Sequence, residues 1–305
     1  MLKLVCLLVL INLIVNGQFS NGDWTDIGPS THPATVTQTS INSLNQLYVD
    51  MTQRWQVLDS QCLPSSVFAL LYLYMTYNIR YYIQNQYFND GNSLTSFTLK
   101  FASYFATAYD SYYCQTQNQY AFSQIVVQQQ SINCAKPELQ KPVNPVWKNV
   151  FDYQVLNKSY VVDDLGLGIN AHINRELASV VYDLNYKTTD QKQDYDRVND
   201  ILQALIATAT VDIGQRYDPL LSSPEFSLAY SAAIAILIGG RQNAWDNGQL
   251  YISAPPPLRK NLMLAVQTTA LTAAQAFETG ITTTNQQRIA YCQAHHSPIN
   301  ITPST

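Results

Sequence analysis

Charge is scarce in this chain. Lysine, arginine, aspartate and glutamate make up 12% of its 305 residues, against about 25% in ordinary globular proteins. The 17 basic and 21 acidic residues leave a net charge of −4. No basic stripe runs along any segment, which argues against nucleic acid as a partner, because phosphate binding needs clustered lysine and arginine. Signature motifs are missing too: there is no G-x-S-x-G, H-E-x-x-H, phosphate loop or dinucleotide fingerprint. Their absence disfavours the common hydrolase, metalloprotease and nucleotide-binding classes. Long apolar runs are also lacking. "LVCLLVLINLIV" (4–15) falls short of the ~20 residues that span a bilayer. "LAYSAAIAILIGG" (228–240) runs straight into Arg241 and reads as a buried helix.

What stands at the beginning sets the compartment. Lys3 precedes the short apolar run, and Val15 and Gly17 place small residues where a signal peptidase reads. This pattern predicts a secretory signal over residues 1–17, cleavage near Gln18, and a secreted, extracellular protein without a membrane span. Removing the signal removes Cys6 and leaves Cys62, Cys114, Cys134 and Cys292. An even number in an oxidising compartment predicts two disulfides. Three pairings exist; the favoured one joins Cys114 to Cys134 across a short loop and Cys62 to Cys292 from start to end. No pair has C-x-x-C spacing, which disfavours zinc. Sequons at Asn157 and Asn300 are glycosylation sites if the source cell is eukaryotic.

Apolar residues at steps of three and four predict helices nearly everywhere. Residues 18–40 read as a loose arm. Helices are expected over 41–59, from Pro64 through Phe88, and over 94–113, with a short one at "NPVWKNVF" (144–151). Others follow over 160–186, 190–214, 224–249 and 256–279, the last two separated by the prolines of "SAPPPL". The stretch 65–88 is apolar or aromatic almost all round and should be central. No alternation long enough for a sheet is present. The expected fold is all-α: one helical domain over 41–280, a multi-helix bundle with a central aromatic-rich helix, and a polar tail over 281–305.

The segment "VDDLGLGINAHINRELASVVYDL" (162–184) carries one of only four histidines. On a wheel of about 100° per residue, Ile169, Ile173, Leu177, Val180 and Leu184 share a core face. His172, Glu176, Ser179 and Asp183 border it on one edge, with Asn170 and Asn174 on the other. Arg175, Ala178 and Tyr182 point away. A histidine and a carboxylate one turn apart can share a metal ion, or the acid can orient the imidazole for proton transfer. The glycines at 166 and 168 predict a close helix–helix approach. Asp194 falls on the core side of its helix with Asn199 at the edge. Ile234, Leu237, Arg241 and Trp245 form a further inward series. A buried arginine needs a partner, and Glu176, Asp183 or Asp194 would serve. His32, His295 and His296 read as solvent-exposed.

These residues resemble a known signature. "NAHINREL" (170–177) is similar to the NAHINx(D/E)L hallmark of an uncharacterised, largely bacterial family of helical proteins. "NPVWKNVF" resembles that family's Trp-containing segment, "DYDRVNDIL" (194–202) its D-x-x-RVN-x-L element, and "RQNAW" (241–245) its Arg-x-x-Ala-Trp stretch. The resemblance covers about residues 41–280. It implies a helical fold and singles out Asn170, His172, Asn174, Glu176, Asp194, Arg197, Asn199, Arg241 and Trp245, but supplies no reaction. Arg175 stands where a second histidine is often found, which weakens a metal reading.

Two functions follow. One is a secreted enzyme of hydrolase, lyase or cyclase type, acting on a small, partly apolar substrate. His172 would be general acid–base, Glu176 and Asp194 its supports, and Arg241 the binder of negative charge. Asn170, Asn174, Asp183, Asn199 and Trp245 would line the binding site. No cofactor is called for; a divalent metal on His172, Glu176 and Asp194 is the disfavoured variant. The alternative is a non-catalytic secreted carrier or binding protein, in which the aromatic helix over 65–88 lines a cavity for a hydrophobic, lipid-like ligand.

Overall fold

The computed structural model describes residues 27–116, 132–156, 159–222, 224–278 and 285–296, together with 299, 301 and 303. The signal segment 1–17 and the sequon residues Asn157 and Asn300 lie outside the described residues.

Among the described residues the chain is all helix and turn. In order come α1 (Gln38–Asp59), α2 (Ser65–Gln84), α3 (Gly91–Thr116), a 3₁₀ turn (Pro137–Gln140), α4 (Pro145–Val155), α5 (Val161–Ile169), a π-helix (Asn170–Glu176) and α6 (Leu177–Asp183). Then follow α7 (Thr189–Tyr217), a second 3₁₀ turn (Pro219–Ser222), α8 (Pro224–Ser253), α9 (Pro256–Glu278) and α10 (Asn285–Ala294). Local chemistry starts several of them. Thr37 Oγ1 accepts from the Ser40 N–H, and Asn144 Oδ1 accepts from Val146 N–H with Pro145 at the first helical position, where a missing N–H costs nothing. Thr188 and Gln191 cap α7 reciprocally.

α2 is the centre. Val67 through Tyr74 are all buried along it, because its residues are apolar or aromatic all round and every face has a neighbour. It packs against α1, α5, α3 and α7. α2 ends at Gln84 rather than running to Phe88: Gln86 takes a positive φ of 57°, and Tyr87 N–H reaches back to the Tyr82 carbonyl. Two apolar clusters surround this helix. One is built on α1, most of α2, the second half of α3, α4 and the far half of α7; the other on the first half of α3, α6, α8 and the near half of α7.

Three sequence expectations change. Residues 27–37 are not loose: Ser30 and Ala34 N–H groups donate to Tyr87 and Asn89 carbonyls at 2.8 Å, and Gly28 O accepts from Arg197. The tail holds a helix, α10, stapled by the Cys62–Cys292 disulfide. Arg288 on that helix pairs with the fully buried Asp164 at 2.6 Å, and His296 beyond it pairs with the buried Asp59 at 3.0 Å. Cys114 and Cys134 form the second disulfide. Both pairings are the favoured ones.

The third change is the π-helix. Leu177 N–H bonds to the carbonyl of His172, five residues back. A π turn rotates each residue by less than an α turn does, so a wheel at 100° loses phase after Asn170. Ala178, expected outward, is fully buried, while Asp183 is exposed.

Close approach is enforced by small residues. A Cβ at Gly168 would lie 2.4 Å from Phe68 Cδ2, and one at Gly248 would lie 2.4 Å from Val181 Cγ1 and 3.2 Å from the Ala178 carbonyl. Gly168→Ala is therefore expected to destabilise the protein by about 1–3 kcal/mol through overpacking, read as a lower midpoint in a denaturant titration. No helix among the described residues is long and apolar enough to cross a membrane.

Candidate functional site

His172 and Glu176 meet inside the molecule. The imidazole Nδ1 lies 2.9 Å from Glu176 Oε2, with the two residues 2% and 1% exposed. The π-helix sets this geometry by re-phasing the segment so that both side chains turn toward α2, α3 and α4. The imidazole stacks on Phe101, with centroids 3.5 Å apart and an interplanar angle of 11°. Phe68, Tyr72, Phe105 and Trp147 present edges or tilted faces to it at 4.9–6.4 Å. His172 Nε2 is buried and has no hydrogen-bond partner among the described residues.

Burial controls the protonation of the pair. It holds the His172 imidazole well below the ordinary histidine value and pushes the Glu176 carboxyl up to about 8. Arg175 opposes the rise on Glu176, and the Trp147 indole does so weakly, because its Nε1 reaches no partner in good hydrogen-bond geometry. At neutral pH the pair is thus a carboxylic acid beside a neutral imidazole, a hydrogen bond rather than an ion pair. Two arrangements share that zero charge. In one the carboxyl O–H donates to Nδ1 and Nε2 carries the other proton. In the other Nδ1–H donates to the carboxyl group and Nε2 holds a lone pair. Nε2 is an acid in the first and a base in the second.

The imidazole also lines a cavity of about 90 Å³ between α2, α3, the π-helix, α7 and α8. The wall is apolar apart from a few groups: Leu71, Met75, Ile79, Phe97, Phe101, Val198, Leu202 and Leu237 form most of it, and His172 and Arg241 stand in it. Thr76 and Thr98, also in the wall, spend their hydroxyls on the carbonyls of Tyr72 and Leu94.

Arg241 is brought to this cavity, but not to an acid. Its Nε donates to Asn199 Oδ1 at 2.7 Å and its Nη2 to the Tyr195 carbonyl at 2.5 Å, while the guanidinium lies 4.3 Å from the Tyr195 ring centroid. The expected pairing with Glu176, Asp183 or Asp194 does not occur, since all its hydrogen-bond partners among the described residues are neutral oxygens. Burial lowers the Arg241 pKa; Tyr195 and, less strongly, Asp196 oppose it through space.

Asp194 is spent elsewhere. It accepts the N–H groups of Asn89 and Asp90 at 2.7 and 2.8 Å and pairs with Arg197 at 3.0 Å, which ties the α2–α3 turn and the N-terminal segment to α7. Asp183 pairs with Lys100 at 3.0 Å and accepts from Tyr104 at the surface. The set His172, Glu176 and Asp194 therefore does not converge as metal ligands. Among the described residues one group of histidine, cysteine or acid atoms comes that close, Cys62, Cys292 and His296, and there both sulfurs are consumed in the disulfide. His296 is exposed as expected, though its ring reaches the buried Asp59.

The remaining positions split. Asn170 donates to the Ala270 carbonyl and accepts from Asn174, holding the π-helix against α9. Trp245 packs on Tyr195 at 5.1 Å behind the arginine. Sequence reasoning missed Tyr195 and Phe101, while Phe68 and Tyr72 belong to the aromatic stretch 65–88 that the carrier reading places around a cavity. Their signal was available as spacing, Phe68 with Tyr72 and Phe97 with Phe101 and Phe105, but aromatic residues four apart are ordinary core.

No curated protein and no solved structure matches the chain. Both halves of the site, the His172–Glu176 pair and the Tyr195–Asn199–Arg241 cluster, fall inside the stretches that a family model does match. Over residues 44–124 and 130–280 that model is DUF5995, a family of unknown function, and the chain belongs to it.

Proposed function

We propose that this is a secreted helical protein that takes a small, largely apolar molecule into the aromatic cavity and moves a proton on it with the His172–Glu176 pair. One observation carries the reading: a buried imidazole in the lining of an apolar cavity is hydrogen-bonded at Nδ1 to Glu176 and has no partner for Nε2 among the described residues. A buried polar atom without a partner is costly, and a bound molecule that hydrogen-bonds to Nε2 would offset that cost. Water exclusion by the aromatic wall strengthens every charge that develops inside. Hydrolase, lyase and cyclase chemistry all begin with such a transfer. Secretion is supported by the signal-like segment 1–17 and by two disulfides, which persist in oxidising compartments. Asn157 and Asn300 are then candidates for glycosylation.

A carrier of a hydrophobic ligand is the second reading, and the cavity lining favours it. Among the described residues no serine, cysteine or acid side chain stands in the wall to act as a nucleophile. One experiment separates the two. The purified, disulfide-bonded protein is incubated with a small-molecule extract, and bound and converted species are followed by mass spectrometry. The enzyme reading expects one component to be consumed, with His172→Gln slower by about 10²–10⁴-fold, the usual worth of a general acid–base. Enrichment of an unaltered molecule, equal in both proteins, contradicts catalysis and leaves the carrier.

A further inference from the structure

The cavity has an unbalanced charge. Arg241 is 4% exposed, and its hydrogen bonds go to a side-chain amide and a backbone carbonyl, both neutral. Its Nη1 makes no hydrogen bond with a described residue, and no described carboxylate comes within ion-pair distance of it. The one acid beside the cavity, Glu176, is committed to His172. An arginine stays charged at any accessible pH, and an uncompensated charge taken out of water costs several kcal/mol. Folded proteins place a counter-charge in contact in such places; here no described carboxylate touches the guanidinium, and Asp196, which acts on it only through space, is itself paired with Lys192. The cavity that Arg241 lines is where such a counter-charge fits.

The rest of the cavity sets the body that must accompany the charge. Beside His172 and Tyr72, most of that lining is Leu71, Met75, Ile79, Phe101, Leu202 and similar side chains, which offer no hydrogen bond. At about 10–15 Å³ for each water-sized group, 90 Å³ accommodates about six to nine such groups. Planar, delocalised guanidinium matches a carboxylate better than it matches a spherical anion.

We propose that the ligand is a small monocarboxylate, aliphatic or aromatic, whose carboxylate lies against Arg241 and whose apolar body fills the cavity. The inference rests on this cavity being the ligand site and is independent of whether His172 catalyses. Hexanoate and benzoate are the probes, with hexanamide and benzamide as neutral shape controls, titrated by calorimetry into the full disulfide-bonded chain at neutral pH.

Each carboxylate is expected to bind about tenfold or more tightly than its amide, as a charged hydrogen bond gives. Arg241→Gln is expected to erase the difference while leaving amide binding. Equal binding of acid and amide overturns the proposal and leaves a ligand cavity standing. Binding of none of the four overturns the proposal. It also counts against the cavity as a ligand site. Carboxylate preference that survives Leu202→Trp, which fills the cavity, places the ligand elsewhere and overturns the proposal too. The acid–amide comparison uses the unaltered protein, so a poorly folding variant does not blunt it.

Discussion

Replacing Cys62 and Cys292 together with serine is expected to lower the unfolding free energy by about 4–5 kcal/mol, measured by guanidinium titration. The bridge spans 230 residues, so its loss frees a very long loop in the unfolded chain, and loop entropy grows with length. The folded state suffers as well. α10 is held by this sulfur bond, by Arg288 on Asp164 and by His296 on Asp59. A detached α10 leaves Asp164 buried without its cation. The Cys114–Cys134 bridge spans 20 residues, and its removal is expected to cost about 3 kcal/mol on the same scale. Equal losses from the two would contradict the assignment of α10 as a latch.

Glu176→Gln is expected to change how stability responds to pH more than stability itself. The folded carboxyl titrates at about 8 against 4.5 in the unfolded chain. Between those values the folded protein holds a proton that the unfolded chain has released. Glu176 thus contributes stability that is complete below the unfolded value and is lost as pH rises through the folded one. From about pH 6 to pH 8 that loss is on the order of 3 kcal/mol for one proton. The glutamine variant keeps the neutral shape and is expected to escape it, so the two proteins diverge as pH rises. Asp163 and Asp164, pushed up to about 6 and about 7 by burial, act in the same direction in both proteins and leave a residual slope. His172 acts oppositely: its depressed value removes stability as pH falls below the ordinary histidine range. Parallel pH curves for the two proteins would mean that Glu176 is ionised when folded.

The helices were legible because apolar residues recur at three- and four-residue steps through most of the chain, and nothing alternates. The π-helix was not, since a wheel assumes one fixed rotation per residue. The His172–Glu176 contact survived because four residues still bring side chains together within one wide turn. Ala178 and Asp183, further along, did not keep their places. α10 was hidden because "NQQRIAYCQA" is mostly polar; a disulfide and the Arg288–Asp164 pair hold it, and neither leaves a periodic trace. Arg241 was read correctly as an inward arginine and wrongly as paired with an acid. Its partners are Asn199 and the Tyr195 carbonyl, and spacing along one helix says nothing of which backbone oxygen another helix will offer. Asp194, Arg197 and Asn199 sit within one motif yet serve two ends, the α2–α3 turn and the arginine.

The account turns on a neutral imidazole beside a protonated acid. ¹⁵N-labelled histidine makes it visible, and comparison with His172→Gln identifies the signal among four. The His172 ring is expected to stay neutral, with one protonated nitrogen, through the pH range in which an ordinary histidine titrates. A His172 signal that titrates near the ordinary value of about 6.5 would show a solvated, charged histidine, and the proton-transfer site would not exist.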